Sequence, residues 1–304
     1  MSLCILCPGQ ASQSPQMFAR LRADPLLAPS YGTLAPVLGA ELLAAAEDPL
    51  HCFENRIAQP AICLYQLCVW QALQAAAIAP AIVAGYSVGE VVAWSVAGAL
   101  PAPGVLAIAQ ARAATMDAHA PPDGGLLAVR GLRAGALEAL ALEHGLQVAI
   151  RNGPDHAVLA GPGAALQRLE QALQRSNAQV VRLPVQVPAH SAWLQQAVPV
   201  LRAYLDTLAW SAPCWPVLAG IDGQPRYRAG DAAQVLSLQL RQTIEWAQVL
   251  DSAVEMGTSC FFELGPGDAL CRIARTRYPD IPARALQDFA SAAGALAWLQ
   301  RVAA

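Results

Sequence analysis

The sequence predicts an α/β protein in which a small β-α-β-β-α-β domain lies in the middle of a larger α/β body. A strand, a sharp turn and a helix follow one another over residues 81–97. Short apolar runs also alternate with two amphipathic segments between residues 125 and 187. Finally, apolar residues make up 55% of the 304-residue chain, a composition that provides a buried core and argues against disorder.

The larger body begins with an apolar run over residues 2–8, which is typical of a buried strand that enters a turn at its Pro-Gly end. The apolar stretch over residues 59–76 has the length of a buried helix. A short apolar run over residues 81–84 is followed by the segment 88–97, which contains no helix breaker. These segments predict a strand, a tight turn and a helix in direct succession.

The middle of the chain has a regular alternation of strands and helices. Its predicted strands lie over residues 126–129, 146–150, 157–160 and 180–185, and its predicted helices over 134–144 and 166–173. This order is that of the ferredoxin-like unit. We therefore assign residues 125–187 to a ferredoxin-like small domain and residues 1–124 and 188–304 to the larger body. The central position of the small domain suggests that it is an insertion.

Composition and charge argue against several classes of function. The net charge of −3, with no lysine in the chain, gives no reason to expect nucleic-acid binding, which needs clustered basic surface. No uninterrupted apolar run reaches the roughly 20 residues that a membrane-spanning helix needs. The first residues have neither the basic segment nor the cleavage site of a signal peptide, so we expect a cytoplasmic protein.

The eight cysteines lie mostly inside apolar runs, as Cys63 and Cys68 do. Cys4 and Cys7 form one C-x-x-C pair, but no second pair or nearby histidine accompanies it. Alternation within the first strand accounts for this spacing equally well. We therefore expect reduced core thiols and no metal site.

The segment Gly85-Tyr86-Ser87-Val88-Gly89 has the G-x-S-x-G pattern of a nucleophile elbow. In such an elbow the flanking glycines avoid side-chain clashes in a tight turn. The turn leaves the serine hydroxyl at a helix N-terminus, where free N–H groups favour a developing negative charge. Because a strand is predicted before it and a helix after it, Ser87 is the candidate nucleophile rather than part of an ordinary turn.

A serine nucleophile needs a base, and the chain has five histidines. His190 follows the last predicted strand of the small domain, where two domains would meet and form a cleft. His144 and His156 fit ordinary structural positions, at a helix end and a strand edge. His190 is therefore the candidate base.

Ordered motifs along nearly the whole chain resemble those of the malonyl-CoA:acyl carrier protein transacylases. The matching motifs are Pro8-Gly9-Gln10, Gln59-Pro60, Gly85-Tyr86-Ser87-Val88-Gly89-Glu90, Arg112 followed by Met116, Asn152-Gly153-Pro154, Pro184 through His190, Gln239 with Trp246, and Glu263-Leu264-Gly265-Pro266-Gly267. Several motifs in order are much more specific than one serine elbow. The resemblance implies an α/β-hydrolase-like large domain with the ferredoxin-like small domain inserted in it.

The resemblance also implies roles for individual residues. Ser87 would carry the acyl group, and His190 would be its general base and later its acid. The backbone carbonyl of Gln239 would orient the histidine, which explains the lack of a convincing third carboxylate. The backbone N–H groups of Gln10 and Val88 would form the oxyanion hole.

Arg112 would hold the free carboxylate of a malonyl group, because a guanidinium meets a carboxylate with two parallel hydrogen bonds. A surface arginine on a helix is the alternative interpretation of this residue. The resemblance further implies malonyl-CoA as the donor and the phosphopantetheine-type arm of an acyl carrier protein as the acceptor, with no bound cofactor. Arg272, Arg275 and Arg277 are candidate contacts for the acidic carrier, or simply a solvated helix face.

Two positions depart from the family pattern. Tyr86 stands where members usually have histidine, and Ala11 stands where they usually have glycine. The segment from Gly85 to Glu90, followed by Ala93-Trp94, most resembles the transacylase (epsilon) subunit of malonate decarboxylase. This subunit would load a dedicated small carrier and would work beside other subunits of that enzyme. The transacylase of fatty-acid synthesis is the alternative.

Two further alternatives belong to other classes of protein. An α/β-hydrolase esterase or thioesterase would share the elbow, but it normally has an acidic partner for its histidine and has no need of Arg112. A non-catalytic module that binds a carrier protein would have no need of intact Ser87, His190 and Gln10.

Overall fold

The computed structural model describes residues 2–303, with side chains for residues 2–302, and the chain has a mixed α/β fold that contains two sheets. In chain order the strands are β1 (Leu3–Cys7), β2 (Ile82–Gly85), β3 (Gly124–Arg130), β4 (Gln147–Gly153), β5 (His156–Pro162), β6 (Gln179–Arg182), β7 (Val217–Leu218), β8 (Pro225–Arg226), β9 (Cys260–Glu263) and β10 (Ala283–Ala285). The α-helices are α1 (Met17–Ala23), α2 (Ala28–Leu38), α3 (Ala40–Ala46), α4 (Asn55–Ala75), α5 (Gly89–Val96), α6 (Ala102–His119), α7 (Ala134–Glu143), α8 (Gly163–Leu173), α9 (Ala197–Leu205), α10 (Ala229–Leu238), α11 (Trp246–Glu255), α12 (Ala269–Arg277) and α13 (Ala292–Ala303).

The larger sheet has the strand order β10-β9-β1-β2-β7-β8. Its strands pair in parallel, except that β8 runs antiparallel to β7. Every residue of β1 and of β2 is buried, as expected for parallel strands that are covered on both faces. Cys7 at the end of β1 pairs with Gly85 at the end of β2. The loops that follow these two strands therefore leave the same carboxyl edge of the sheet side by side.

The predicted elements of the larger body are present, with one clear difference in length. The strand, turn and helix predicted over residues 81–97 are β2 and α5 with Ser87 between them. The helix predicted from Gln59 begins four residues earlier, at Asn55. Its first turn holds the polar residues Asn55 and Arg56, so the apolar pattern does not reveal the start. The remainder of α4 is almost entirely buried.

The smaller sheet is antiparallel, with the strand order β4-β5-β3-β6. Alternate residues of its strands point to opposite faces. On one face Leu127, Val129 and Leu159 join α7 and α8 in a separate hydrophobic cluster. On the other face Leu126 and Val158 belong to the main core. The strand and helix order is the predicted one, and the domain boundaries at 124/125 and 187/188 stay a prediction.

The last strand of the smaller sheet is shorter than predicted. We expected a strand over residues 180–185, but β6 ends at Arg182. The Val185 N–H donates a hydrogen bond to the Leu183 carbonyl at 2.8 Å, so the chain turns here. Pro184 lies inside this turn and has no N–H with which to continue a ladder. The turn directs the chain away from the sheet and toward His190.

Strand β4 joins the smaller sheet to the larger body. Ile244 forms a parallel bridge with Ile150. The Ile244 N–H donates to the Ala149 carbonyl at 2.9 Å, and the Arg151 N–H donates to the Ile244 carbonyl at 2.8 Å. These backbone bonds fix the edge of the smaller sheet a few residues from Gln239.

None of the helices in the described part of the chain combines the length and apolar character needed to cross a bilayer. Seven cysteines are buried free thiols, and Cys214 is exposed. Cys4 and Cys7 both lie in the first strand, β1. Within residues 2–302 no group of three or more His, Cys, Asp and Glu side chains is arranged to hold a metal ion.

Candidate active site

Ser87 occupies the sharp turn between β2 and α5. Its φ angle is 56°, in the left-handed region that non-glycine residues rarely adopt. A Cβ atom on Gly85 would lie 2.2 Å from the Glu90 Cα, and one on Gly89 would lie 2.0 Å from the Cys7 carbonyl oxygen. Both positions therefore require glycine, and the tight packing holds the strained serine in place.

His190 lies against Ser87. Its Nε2 is 2.8 Å from the Ser87 Oγ, and its Nδ1 is 2.6 Å from the backbone carbonyl oxygen of Gln239. A carbonyl only accepts, so Nδ1 carries the proton and Nε2 is free to accept from the serine hydroxyl. The His190 N–H also donates to the Leu240 carbonyl at 2.8 Å. One short segment, residues 239–240, thus fixes both the backbone and the ring of the histidine.

The surroundings of His190 keep its ring neutral. The residue is almost completely buried. Burial, and then the positive charge of Arg112, lower the pKa of His190 to about 3, although the hydrogen bond to the Gln239 carbonyl acts in the opposite direction. At neutral pH the ring can therefore accept a proton from Ser87.

Arg112 is a fully buried guanidinium close to Ser87. It projects from α6 and donates from Nη1 to the Gln59 Oε1 at 2.7 Å and from Nη2 to the Gln239 Oε1 at 3.1 Å. The same Nη2 lies 3.4 Å from the Ser87 Oγ. Burial lowers the pKa of Arg112 to about 10, which leaves it charged at neutral pH. Its side-chain partners are two neutral amides and a hydroxyl.

Gln239 connects the residues of this site through two different groups. Its backbone carbonyl accepts from His190, and its side-chain Oε1 accepts from Arg112. Its Nε2 donates to the Glu90 carboxylate at 2.6 Å. We call Ser87, His190, Arg112, Gln239, Glu90 and Gln59 the polar floor of the site. All of these residues except Ser87 are buried.

The backbone of Gln10 and Val88 has two N–H groups near Ser87. Within residues 2–303 neither N–H donates a hydrogen bond to a protein acceptor. Gln10 lines the same cavity as Ser87. Ala11 follows with a φ angle of 93°, a conformation that favours glycine, and its N–H donates to the Gln13 Oε1 at 2.7 Å. Alanine is therefore held here in a strained backbone.

A cavity of about 300 Å³ lies above Ser87 and His190. Its side opposite the floor is formed by apolar side chains of the smaller sheet and of the segment after it. We call them the apolar roof: Leu126, Ala128, Ile150, Val158, Leu183 and Val185. Asn152, His156 and Arg272 also line the cavity, and all three line a neighbouring groove as well. The site therefore opens between the smaller sheet and α12.

The structure brings together the residues singled out from the sequence. Ser87, His190, Arg112 and the Gln239 carbonyl form one hydrogen-bonded group, and Gln10 and Val88 adjoin it. Tyr86 packs edge-on against Trp246, with ring centroids 5.2 Å apart, and lines the cavity. His156, which we interpreted as an ordinary strand residue, does lie in a strand but also lines the cavity.

The sequence predicted no role of their own for Glu90 and Gln59, which were noted only as parts of motifs. Both are buried in the polar floor. One signal was available for Glu90: it is a charged residue at the start of an otherwise apolar helix, GEVVAWSV. A lone charge in such a segment indicates a buried polar contact.

The three arginines of α12 differ in their surroundings. Arg277 forms two hydrogen bonds of 2.5 Å with Asp251, and Arg275 contacts Asp268 and Asp288. Arg272 lies 3.4 Å from Asp268 but remains mostly exposed at the cavity. Of the three, Arg272 is the one best placed to meet a ligand that enters the site.

Comparison with known proteins identifies the family to which this chain is similar. The family model described as "Acyl transferase domain" matches residues 6–292. The malonyl CoA-acyl carrier protein transacylase of Salmonella typhimurium is 28% identical over 299 residues, which cover 95% of this chain and 97% of that protein. The enzyme of the same name from Mycobacterium tuberculosis is 28% identical over 291 residues, with 94% and 96% covered.

Solved structures give the same result. A crystal structure of MCAT from Mycobacterium tuberculosis superposes with a TM-score of 0.89 at 28% identity and covers 98% of this chain and 99% of that one. A malonyl-transacylase, PlMCAT, in complex with the type II PKS acyl-carrier protein AntF superposes with a TM-score of 0.90 at 25% identity, with 98% and 99% covered.

Proposed function

The chain belongs to the acyl transferase domain family, and we propose that it moves a malonyl group from malonyl-CoA to the thiol on the phosphopantetheine-type arm of an acyl carrier protein. The names of similar proteins support this assignment of substrate, because both sequence relatives described above are malonyl CoA-acyl carrier protein transacylases. The proposal requires a nucleophile, a base, an oxyanion hole and a group that recognises the malonyl carboxylate.

One observation carries the choice of a malonyl group. Arg112 is fully buried, its Nη2 lies 3.4 Å from the Ser87 Oγ, and its hydrogen-bond partners are uncharged. No carboxylate in the described part of the chain forms an ion pair with it. A buried cation without an ionic partner is costly. A carboxylate on the bound acyl group would offset this cost directly beside the nucleophile.

In the first half of the proposed reaction the Ser87 Oγ attacks the thioester carbon of malonyl-CoA. His190 Nε2 takes the hydroxyl proton as the new C–O bond forms. The negative charge on the thioester oxygen is stabilised by the N–H groups of Val88 and Gln10. When the tetrahedral intermediate collapses, the C–S bond breaks and the departing CoA sulfur takes the proton from His190, which leaves a malonyl-Ser87 ester.

In the second half the thiol of the carrier arm gives its proton to His190 Nε2, and its sulfur attacks the ester carbon. The C–O bond to Ser87 then breaks, and the serine oxygen recovers the proton from His190. The polar floor supports both halves because the Gln239 carbonyl holds the Nδ1 proton throughout. The apolar roof limits the access of water to the ester, which favours transfer over hydrolysis.

An esterase is a less suitable alternative for this site. A hydrolase of that type orients its histidine with a carboxylate, whereas a backbone carbonyl contacts His190 Nδ1 here. An esterase also has no need of a buried arginine next to the serine. A non-catalytic carrier-binding module would not require a strained serine 2.8 Å from a neutral histidine.

The finer role concerns which carrier accepts the malonyl group. The relatives reported above support the transacylase type that supplies fatty-acid synthesis. A transacylase subunit of malonate decarboxylase is the second candidate, and it is favoured by the sequence of the elbow: Tyr86 replaces the usual histidine, and Ala93-Trp94 follow in α5. We propose the role in fatty-acid synthesis because of these relatives. We retain the malonate decarboxylase role as the second candidate because of Tyr86, Ala93 and Trp94.

The fold supports the same proposal in a finer form. We infer that the body around the larger sheet is α/β-hydrolase-like, since a parallel strand, the serine elbow and a helix follow one another there. We infer that the smaller sheet with α7 and α8 is a ferredoxin-like unit, since it has the β-α-β-β-α-β order and its own hydrophobic cluster.

Intact-mass measurement tests the proposal. The protein is incubated with malonyl-CoA, acetyl-CoA or no donor, as wild type and as Ser87→Ala. We expect a malonyl-sized adduct on the wild type alone and little adduct from acetyl-CoA. Wild-type protein that only hydrolyses malonyl-CoA would indicate an esterase, and protein that leaves malonyl-CoA untouched would indicate a binding module.

The acceptor is tested in the same assay. The malonylated protein is mixed with the phosphopantetheinylated carrier of fatty-acid synthesis or with the dedicated carrier of malonate decarboxylase. Transfer at least about tenfold faster to one carrier, a preference of about 1.4 kcal/mol, assigns the role.

A further inference from the structure

Glu90 is a buried carboxylate that the proposed reaction does not use. It lies three residues after Ser87, in the first turn of α5, and its side chain is almost completely buried. It does not line the cavity above Ser87. Burial of a carboxylate costs free energy unless hydrogen-bond donors or cations stabilise it. The contacts of Glu90 show which groups stabilise it.

The Glu90 Oε2 accepts two hydrogen bonds. One comes from the Gln239 Nε2 at 2.6 Å and the other from the Gly220 N–H at 2.9 Å. A Cβ atom on residue 220 would lie 2.9 Å from this oxygen, so glycine allows the close approach of the backbone. The Oε1 has no partner in the described part of the chain. Both hydrogen bonds of the Glu90 carboxylate therefore come from Gln239 and from one backbone N–H.

These contacts determine which way the Gln239 amide faces. Burial raises the pKa of Glu90 to about 7, so the group is ionised above that pH. An ionised carboxylate only accepts hydrogen bonds, so it must face the NH₂ end of the amide. The carbonyl end, Oε1, then faces Arg112 and accepts from its Nη2 at 3.1 Å. If the amide turned over, two donors would face each other at Arg112, and an oxygen would face Glu90. Glu90 therefore excludes the second orientation.

The orientation of the Gln239 amide matters because few other groups restrain the Arg112 guanidinium. Gln59 holds its Nη1, while Gln239 and Ser87 are the partners of Nη2. The Arg112 Nε has no partner in the described part of the chain. The placement of Nη2 beside Ser87 consequently depends on an oxygen at the end of the Gln239 side chain.

We propose that Glu90 is a positioning residue which, through the amide of Gln239, holds the Arg112 guanidinium beside Ser87 and thereby sets the preference for an acyl group that bears a carboxylate. This inference rests on the proposed function, in which Arg112 meets the malonyl carboxylate. Glu90 touches neither the acyl group nor the reacting atoms. It acts on the selectivity between donors rather than on the chemistry at Ser87.

Replacement of Glu90 by glutamine tests the inference. The Glu90→Gln side chain has the same size but can also donate, so both orientations of the Gln239 amide become possible. We expect the ratio of the acylation rates with malonyl-CoA and acetyl-CoA to fall about tenfold. The Gln239 backbone carbonyl still accepts from His190 Nδ1, so the fall should lie mainly in the malonyl rate.

Glu263→Gln is the matched control. Glu263 is a second fully buried carboxylate at the end of β9, and it accepts from the Cys271 N–H at 2.8 Å with its other oxygen unpaired. It has no hydrogen bond to His190, Arg112 or Gln239 within the described residues. The control makes the same substitution at a second buried carboxyl group, whose pKa burial raises to about 8, and should leave the ratio of malonyl to acetyl rates unchanged.

A double-variant cycle tests the route through Gln239. In a Gln239→Leu background the amide is absent, so Glu90→Gln should lower the ratio no further. A fall by the same factor in both backgrounds, or a Glu90→Gln protein with the wild-type ratio, overturns the inference.

A second measurement does not depend on any donor. Nitrogen-15 NMR of labelled arginine side chains follows rotation of the Arg112 guanidinium, whose signal is assigned by its loss in Arg112→Lys. Faster rotation in Glu90→Gln but not in Glu263→Gln supports the inference, and equal rotation in all three proteins overturns it. A wild type that takes no malonyl group contradicts the proposed function alone, since this measurement still decides the role of Glu90.

Discussion

The polar floor and the apolar roof differ in physical character. Of the floor residues, Ser87 and His190 line the cavity, together with the apolar side chains of the roof. The floor consists of buried polar side chains joined by hydrogen bonds of 2.6 to 3.4 Å. It lies at the carboxyl edge of the larger sheet, among helices that are largely buried. The roof is formed by apolar side chains that make no directional contact with one another, and it belongs mostly to the smaller sheet.

This difference separates two tasks. Chemistry at Ser87 needs atoms held to within a fraction of an ångström, which the hydrogen-bonded floor provides. Exclusion of water and accommodation of an acyl chain need only shape and apolar surface, which the roof provides. We therefore expect substitutions in the floor to change the rate of acylation or the donor preference, and substitutions in the roof to change access to Ser87.

The largest effect is expected for His190→Ala. Loss of the base at 2.8 Å from the Ser87 Oγ should lower the rate of malonyl-Ser87 formation about 10³-fold, within the range for a general base. Intact mass against time measures this rate. His144→Ala, at the end of α7, is the control and should behave as wild type. A loss of less than about tenfold in His190→Ala would contradict the role of the floor.

Arg112→Ala should produce the next largest effect, and it should depend on the donor. We expect acylation by malonyl-CoA to fall about 10²-fold, because the substrate loses a charge-assisted pair of hydrogen bonds. Acylation by acetyl-CoA should stay the same or rise, which also shows that the variant is folded. Equal losses with both donors would remove Arg112 from carboxylate recognition.

A substitution in the roof should affect access instead. Ala128→Phe places a ring in the cavity above Ser87 and should lower transfer from malonyl-CoA about tenfold. Labelling of Ser87 by a small fluorophosphonate should change less than about threefold. Ala136→Phe, on the exposed face of α7, is the control of equal size. If labelling and transfer fell together, the division between floor and roof would be wrong.

The smallest effect on the acylation rate is expected from a change in pH. Burial, and then Arg112, lower the pKa of His190 to about 3, so the base stays neutral from pH 8 down to pH 5. Acylation by acetyl-CoA, which does not involve Arg112, should change less than about twofold over this range. An ordinary histidine with a pKa near 6.5 would lose about 30-fold by pH 5, because protonation removes the acceptor. Such a loss would contradict the buried, neutral histidine.

Much of the fold follows from local sequence patterns. The order of strands and helices between residues 124 and 182, and the strand, elbow and helix around Ser87, agree with the predictions from periodicity and turn residues. Several boundaries differ by three or four residues. Helix α4 begins earlier, at Asn55, where its first turn is polar, and α8 begins earlier, at Gly163. Strand β4 ends later, at Gly153, and β6 ends earlier, at Arg182, before the turn that contains Pro184. The cytoplasmic location and the identity of the carrier stay predictions.

The sequence by itself predicted the tight turn at Ser87 between a strand and a helix, because the G-x-S-x-G pattern lies between two apolar segments. Through the family resemblance it also indicated His190, Arg112 and Gln239 as partners. Only the tertiary structure decided how these residues meet, since the hydrogen-bonded pairs among them lie between 25 and 127 positions apart in the chain. The role of Glu90 belongs to this second group, because the direction of an amide depends on which groups surround it in space.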